Sequence, residues 1–270
     1  MKNTGGSLGL LEFENLGRIP RLSHFITTRK GGVSQPPYHQ LNLGRHIADH
    51  PEHVLANRAL LAEVTGIAAG KFLYASQVHS GDVKVIDEAA IQSGVLSQSP
   101  RTDATITALP GICLMVMVAD CVPLILFDPV KRISAVIHAG WRGTVQHITT
   151  NTIRTMVDRF GSNPADIIAG IGPSIGPCCY EVGGEVREFV QTSFGTTEGY
   201  LVRQIDSPKP HFDLWYANHK QLTDNGIKPG NIETSGLCTR CHPETFYSSR
   251  ASGGVTGRFA AGICILPLEH

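Results

Sequence analysis

The chain has 270 residues, 41% of them hydrophobic and 17% charged, and its 23 basic and 23 acidic side chains leave a formal net charge of zero. This composition excludes a disordered or coiled-coil chain, and the charge balance argues against a nucleic-acid or membrane-surface partner, which would show as a basic excess. The N-terminal residues have no apolar leader, the longest apolar runs are too short to span a bilayer, and the seven cysteines are an odd number, so the expectation is a cytoplasmic protein with reduced thiols.

In chain order, Leu22–Thr28 reads as a strand running into a glycine turn, Arg29-Lys30-Gly31-Gly32, that carries two positive charges. Pro51 at a favoured first helical position and Val54, Leu60/Val64 and Leu61 at helical spacing predict a helix from Pro51 to about Thr65. Phe72–His79 and Asp82–Asp87 flank Ser80-Gly81 as a hairpin, Ala89–Ser99 reads as a loop, and Asp103–Ala108 with Gly111–Val118 reads as a second hairpin around Leu109-Pro110. Val122–Phe127 and the run from Ile133 read as two strands that would close an antiparallel pair through Phe127-Asp128-Pro129. After Gly143, an apolar face of Val145, Ile148, Ile153, Met156 and Phe160 predicts an amphipathic helix ended by Gly161. Asp166–Ile171 is a strand, Gly184–Thr192 and Asp213–Asn225 are helices, and Asn231–Leu237, Phe246–Arg250 and Phe259–Leu266 are strands. With no repeat or linker, the economical reading is a single α/β (α+β) domain over residues 1–267, with mixed β-sheets flanked by helices. Residues 268–270 read as the remnant of a vector-derived tag.

The chemistry gathers between Met117 and Thr144. In an antiparallel pair, strands advance together at about 3.4 Å per residue, so Cys121 and His138 come side by side at its far end, next to Gly140-Trp141-Arg142-Gly143. His79, at the end of an earlier strand, would complete a set of two histidines and a cysteine. That set suits a catalytic zinc with an open position, or copper in a trigonal site. The same residues equally suit a Cys–His hydrolase with Cys121 as nucleophile, His138 as base and Asp120 or Asp103 as the orienting group. The spacing leaves both readings open. Cys238-Thr239-Arg240-Cys241-His242 matches a haem-attachment string, and Cys238 and Cys241 could join Cys178 and Cys179 around a structural zinc; ordinary thiols near a turn are the simpler reading. Arg29 to Gly32 offer cations and N–H groups to an anion. No dinucleotide fingerprint, Walker A, H-E-x-x-H or G-x-S-x-G string is present, and no His-x-His pair, which a trinuclear-copper laccase would show.

Taken together, the strings from Thr27–Ser34 through Gln77–Val83, Val118–Asp128, Ile137–Thr144, Gly172–Val182, Phe212–Asn218 and Gly236–Cys241 to Thr256–Arg258 resemble one family in its order over nearly the whole chain. It has been labelled laccase-domain or multicopper polyphenol oxidase, then purine nucleoside phosphorylase, and in some bacteria peptidoglycan editing factor. The resemblance implies a fold like that of cysteine-hydrolase toxins, and metal ligands at His79, Cys121 and His138 with zinc as the expected ion and copper as the older assignment. It also implies phosphorolysis of adenosine, inosine and 5′-methylthioadenosine, with deamination of adenosine. The partners would be purine nucleosides and phosphate, with no nucleic acid or membrane, for a monomer or homodimer. Ser80, Ser174 and Ala251 depart from the family's usual residues, and none is a ligand.

On that footing Arg29, Arg142 and Arg250 are expected to clamp phosphate, Asn42 to position substrate, and Trp141 or Tyr180 to stack on the base. Asp103, Asp120 and Glu181 are the candidate proton carriers. Two alternatives stay beside this reading: a Cys–His hydrolase editing peptidoglycan precursors, and a non-enzymatic metal-bearing scaffold that binds nucleotides.

Overall fold

The computed structural model describes residues 1–3, 8–205 and 207–268. Its strands, in chain order, are Lys2–Asn3 (β1), Leu11–Glu12 (β2), Leu22–Ile26 (β3), Phe72–Tyr74 (β4), Val83–Val85 (β5), Ala104–Thr107 (β6), Cys113–Val118 (β7), Val122–Asp128 (β8), Ile133–Ala139 (β9), Ile168–Ile171 (β10), Leu201–Val202 (β11), His211–Phe212 (β12), Ile232–Thr234 (β13) and Phe259–Ile265 (β14). The helices are Pro51–Thr65 (α1), Glu88–Gln92 (α2), Val95–Gln98 (α3), Trp141–Val145 (α4), Ile148–Phe160 (α5), Gly184–Phe194 (α6) and Leu214–Asp224 (α7). None is long and apolar enough to cross a membrane among the described residues.

Two mixed sheets carry the architecture. One has the order β1-β2-β3-β14-β7-β4, the other β13-β10-β8-β9-β6-β5, and β11 pairs only with β12. Strands β7, β8, β9 and β14 are buried along their whole length, which explains why they read as continuous apolar runs: both faces are covered. Alternate residues sort into layers with the period of two that a strand imposes. Leu114, Val116, Phe259, Ala261 and Ile263 of the first sheet meet Ile125, Phe127 and Val136 of the second in one core. Val122, Leu124, Leu126, Ala135 and Ile137 face the opposite way and pack on Ile148, Ile153 and Met156 of α5 and on Ala217 and Leu222 of α7. Met115, Met117 and Ala260 turn to the outer side of the first sheet, under Leu61 of α1 and the Leu41–Leu43 segment. The result is four layers, helix–sheet–sheet–helix, in which each fully buried Leu, Ile or Val contributes on the order of 1.5–3 kcal/mol.

The β8–β9 pair forms as expected, with Val122 opposite Ala139 and Pro123 opposite His138. Helix α1 spans the expected residues, with Pro51 in its first turn and Gly66 closing it at φ 68°. Gly161 ends α5 at φ 65°, its N–H on the carbonyls of Met156 and Val157. The amphipathic run divides in two, because His147 takes φ 59° and breaks the helix between α4 and α5. Ala89–Ser99 is largely helical, in α2 and α3, with Asp87 capping the N–H of Ala90 at 2.9 Å.

Neither expected hairpin exists. Strand β4 joins the first sheet, parallel to β7, whereas β5 joins the second, parallel to β6. Strand β6 pairs with β9, while β7 takes β14 and β4 as neighbours. Both turns are present, but at each the chain passes from one sheet to the other. The Phe246–Arg250 strand is also absent. The N–H of Phe246 bonds back to His242, that of Ser252 to Ser248, and that of Arg250 to the Asp120 carboxylate, so no ladder partner is available. Phe246 and Tyr247 instead plug the core between the sheets. Of the expected tag remnant, Glu269 and His270 lie outside the described residues.

Candidate functional site

The crossing from β4 to β5 builds the site. Asp103, fully buried just before β6, accepts the N–H groups of Val78, His79 and Ser80 at 3.1, 3.0 and 2.8 Å and the Ser80 hydroxyl at 3.1 Å. This carboxylate gathers the turn and sets His79 at φ 61°, a left-handed conformation uncommon outside glycine. The same carboxylate accepts Nδ1–H of His138 at 2.8 Å from its place on β9. That bond fixes the ring and leaves Nε2 as the available nitrogen.

Cys121 precedes β8 and faces both rings. The ligand atoms of His79, Cys121 and His138 lie within 4.8 Å of one another, and the two imidazoles meet edge to face with centroids 4.9 Å apart. Burial alone would raise the Cys121 thiol, yet hydrogen bonds and charge from His138 and His79 outweigh it and hold the thiol well below its ordinary value. For His138, burial would lower the imidazole, but the Cys121 sulfur and the Asp103 carboxylate outweigh it and raise it. The pair therefore favours thiolate and imidazolium. Gly140 lets the cluster close: a Cβ there would stand 2.9 Å from the Cys121 sulfur and 3.3 Å from Cδ2 of His79. A thiol held toward thiolate and two imidazoles, one oriented by a carboxylate, fit a borderline-soft ion such as zinc or copper.

The cluster opens into a cavity of about 890 Å³, within the range of small-molecule sites. Arg45, Arg58, Arg250 and Arg258 line it together with His46, Tyr180 and Asp120. Among the described residues none of these four guanidiniums is ion-paired with a carboxylate. The Arg58 guanidinium stacks on Tyr74, its carbon 3.6 Å from the ring centroid, and donates to the Leu43 carbonyl. Arg250 lies over Tyr180 at 5.2 Å. Asp120, at φ 91°, accepts the Thr239 hydroxyl and the Arg250 N–H, each at 2.6 Å.

Several expected positions fall elsewhere. Arg29 does not line the cavity: its guanidinium donates to the carbonyls of His39 and Pro243 and lies 4.8 Å from the Tyr247 ring. Arg142 and Trp141 border a separate hollow with Phe189, with the Arg142 guanidinium 4.3 Å from the Trp141 ring. Asn42 is buried, its amide bonded to Asp49 and its oxygen to the N–H groups of Gly44 and Arg258, so it supports the wall without lining it. Asp103 is enclosed and its hydrogen bonds are committed, which suits positioning over proton transfer. Glu181 is engaged by Lys209 and Ser207 and does not line the cavity. Of the expected contacts, Asp120, Tyr180 and Arg250 do reach it, beside His79, Cys121 and His138.

Arg45, His46, Arg58 and Arg258 escaped the sequence reading. Arg58 had a signal: it falls between Val54 and Leu61 on the inward face of α1, where a cation needs a reason. Arg45 and His46 had none, lying in a segment without regular structure.

Comparison with known proteins gives a consistent picture. The family model described as multi-copper polyphenol oxidoreductase laccase matches residues 23–266. A protein of Bacteroides thetaiotaomicron named purine nucleoside phosphorylase is 36% identical over 95% of this chain and 96% of its own. A protein named adenosine deaminase RL5, from an unknown prokaryotic organism, is 35% identical over 94% of this chain and 99% of its own. The crystal structure of YlmD from Geobacillus stearothermophilus superposes with a TM-score of 0.89 at 30% identity, covering 98% of this chain and 99% of that one.

Proposed function

The chain belongs to the multi-copper polyphenol oxidoreductase laccase family, and from that premise we propose that it is a purine nucleoside phosphorylase acting on adenosine, inosine and 5′-methylthioadenosine, with an accompanying adenosine deaminase activity. The observation that carries this reading is the convergence of four carboxylate-free arginines and the His79–Cys121–His138 cluster on one nucleoside-sized cavity. The names of the relatives, a phosphorylase and a deaminase, support it.

His79, Cys121 and His138 would hold zinc, with copper as the other ion their donor set accepts. When bound, the ion supplies Lewis-acid chemistry. The protein's own groups do the rest. Arg250, Arg258, Arg58 and Arg45 hold the phosphate dianion, since guanidinium binds phosphate oxygens in a paired geometry. A phosphate oxygen bonds to C1′ of the ribose as the C1′–N9 bond breaks and the purine departs with that electron pair. Tyr180, half-buried at the cavity wall, offers a face to the base. Asp120 is the candidate proton carrier, because of the three acids considered it is the one that borders the cavity.

The test is mass spectrometry of adenosine, inosine and methylthioadenosine incubated with the protein, with and without phosphate. Base and sugar 1-phosphate should form only with phosphate, and inosine from adenosine in either condition. If no nucleoside is consumed in either, the reading fails. Replacing His79 with alanine should remove metal and phosphorolysis together; full activity in that variant would sink the ligand assignment.

A second reading has its own observation. Cys121, His138 and Asp103 stand in the order nucleophile, base, orienting carboxylate. Metal-free protein whose Cys121 is alkylated readily, and which hydrolyses peptidoglycan precursors but not nucleosides, would favour that hydrolase.

A further inference from the structure

Away from the cavity's own cluster, two turns carry four more thiols to one place. The sulfur atoms of Cys178, Cys179, Cys238 and Cys241 lie within 4.8 Å of one another. Cys178 and Cys241 are 3.7 Å apart and Cys179 and Cys241 3.5 Å. A disulfide requires 2.03–2.05 Å between sulfurs, so none of these is bonded. Four thiolates at about 2.3 Å from a zinc ion stand roughly 3.8 Å from each other in a tetrahedron, close to the spacing found here.

The backbone prepares this arrangement from both sides. The N–H groups of Cys179 and Tyr180 bond to the Gly176 carbonyl at 2.9 and 3.0 Å, closing a turn that presents Cys178 and Cys179. Opposite, the N–H groups of Cys241 and His242 both bond to the Cys238 carbonyl at 3.1 Å, closing the C-x-x-C turn. The Gly176 N–H points at the Cys238 sulfur from 3.3 Å, a bond that favours thiolate. Cys178 and Cys241 are exposed, where free thiols bury no useful area, so apolar packing does not explain the convergence.

We propose that Cys178, Cys179, Cys238 and Cys241 bind a structural zinc ion, distinct from the His79–Cys121–His138 centre. All four positions are filled by protein sulfur, which leaves none open for substrate and marks the site as structural. Binding releases the four thiol protons to solvent and leaves the ion and its thiolates with a net charge of −2. The ion fastens the turn that carries Tyr180 to the turn that carries Thr239. Thr239 holds Asp120 through its hydroxyl, and the Ile175 N–H holds the Asp120 carbonyl at 2.9 Å. The zinc therefore steadies one wall of the cavity without touching what enters it.

The readouts involve no nucleoside, so this site and the phosphorylase reading stand or fall separately. Protein purified without chelator should carry about two zinc ions per chain, and the His79→Ala/His138→Ala variant about one. Reconstituted with cobalt, that variant should show sulfur-to-cobalt charge-transfer absorption, which Cys178→Ser/Cys241→Ser in the same background removes. In wild-type protein, which needs no variant to fold, iodoacetamide should modify Cys178 and Cys241 only after a chelator is added. Immediate modification in zinc-replete protein, iron in place of zinc, or a Cys178–Cys241 or Cys179–Cys241 disulfide in peptides mapped without reductant would each overturn the proposal.

Discussion

Nδ1 of His138 lies 2.8 Å from Oδ1 of Asp103, and the same carboxylate holds the backbone that carries His79. One buried acid thus positions two of the three cluster residues from opposite sheet connections. Asp103→Asn keeps the shape but turns one acceptor into a donor that faces N–H groups. Metal affinity should fall by roughly 10–100-fold, as removal of such outer partners generally costs. Competition against a chromophoric chelator measures it; wild-type affinity in this variant would show that His138 orients itself.

Gly140 faces the cluster from behind. Gly140→Ala adds a methyl 2.9 Å from the Cys121 sulfur, and relief requires moving the sulfur or the His79 ring. Overpacking of this kind costs about 1–3 kcal/mol. The expected result is a lowered Tm together with substoichiometric metal. Full occupancy at unchanged Tm would mean that the cluster has slack.

Arg250 is exposed at the cavity edge and bonded through Nη1 to the Glu181 carbonyl. Arg250→Gln should raise KM for phosphate about tenfold or more, the loss expected for one charge-assisted contact, and change KM for nucleoside much less. Steady-state kinetics with each substrate varied separately decides this. An equal rise in both would place Arg250 at a general structural task.

His24 gives a pH dependence unrelated to the cluster. It is buried, and its ring accepts the Phe13 N–H at 2.9 Å, which a protonated nitrogen could not do; burial is the main cause that lowers it from 6.5 to about 4. The folded protein therefore keeps His24 neutral where the unfolded chain binds a proton. Stability is fully present above pH 6.5 and declines as pH falls toward 4, by roughly 3 kcal/mol at most from this group. Urea unfolding of wild type and His24→Gln across that window should show a shallower decline in the variant; parallel curves would remove His24 as the cause.

Local pattern served the sequence reading where the answer was local. Helix α1 with its Pro51 and Gly66 ends, α5 with its Gly161 stop, and the β8–β9 pair are written within their own residues. Cys121 and His138 were legible because one antiparallel pair brings them together. The turns at Ser80-Gly81 and Leu109-Pro110 were equally visible, but whether a turn folds a strand back or sends it to another sheet depends on distant partners. Strand β7 is claimed by β14, and β6 by β9. Arg29 is the opposite case: a cation beside glycines reads as an anion site, yet its guanidinium turns to two carbonyls and a tyrosine ring away from the cavity lining. Four arginines reach the cavity from four separate segments, a convergence that no spacing records.

Strand β14 comes last among the strands in chain order, yet it lies inside the first sheet, between β3 and β7. During synthesis on the ribosome, that sheet stays split, with two raw edges, until residues 259–265 emerge. His79, Cys121 and His138 are made well before this, and Arg250 and Arg258 only just before it. A nascent chain therefore presents its thiol and imidazoles to the cell with Arg45 and Arg58 already made but without Arg250 and Arg258, and β14 closes the interval.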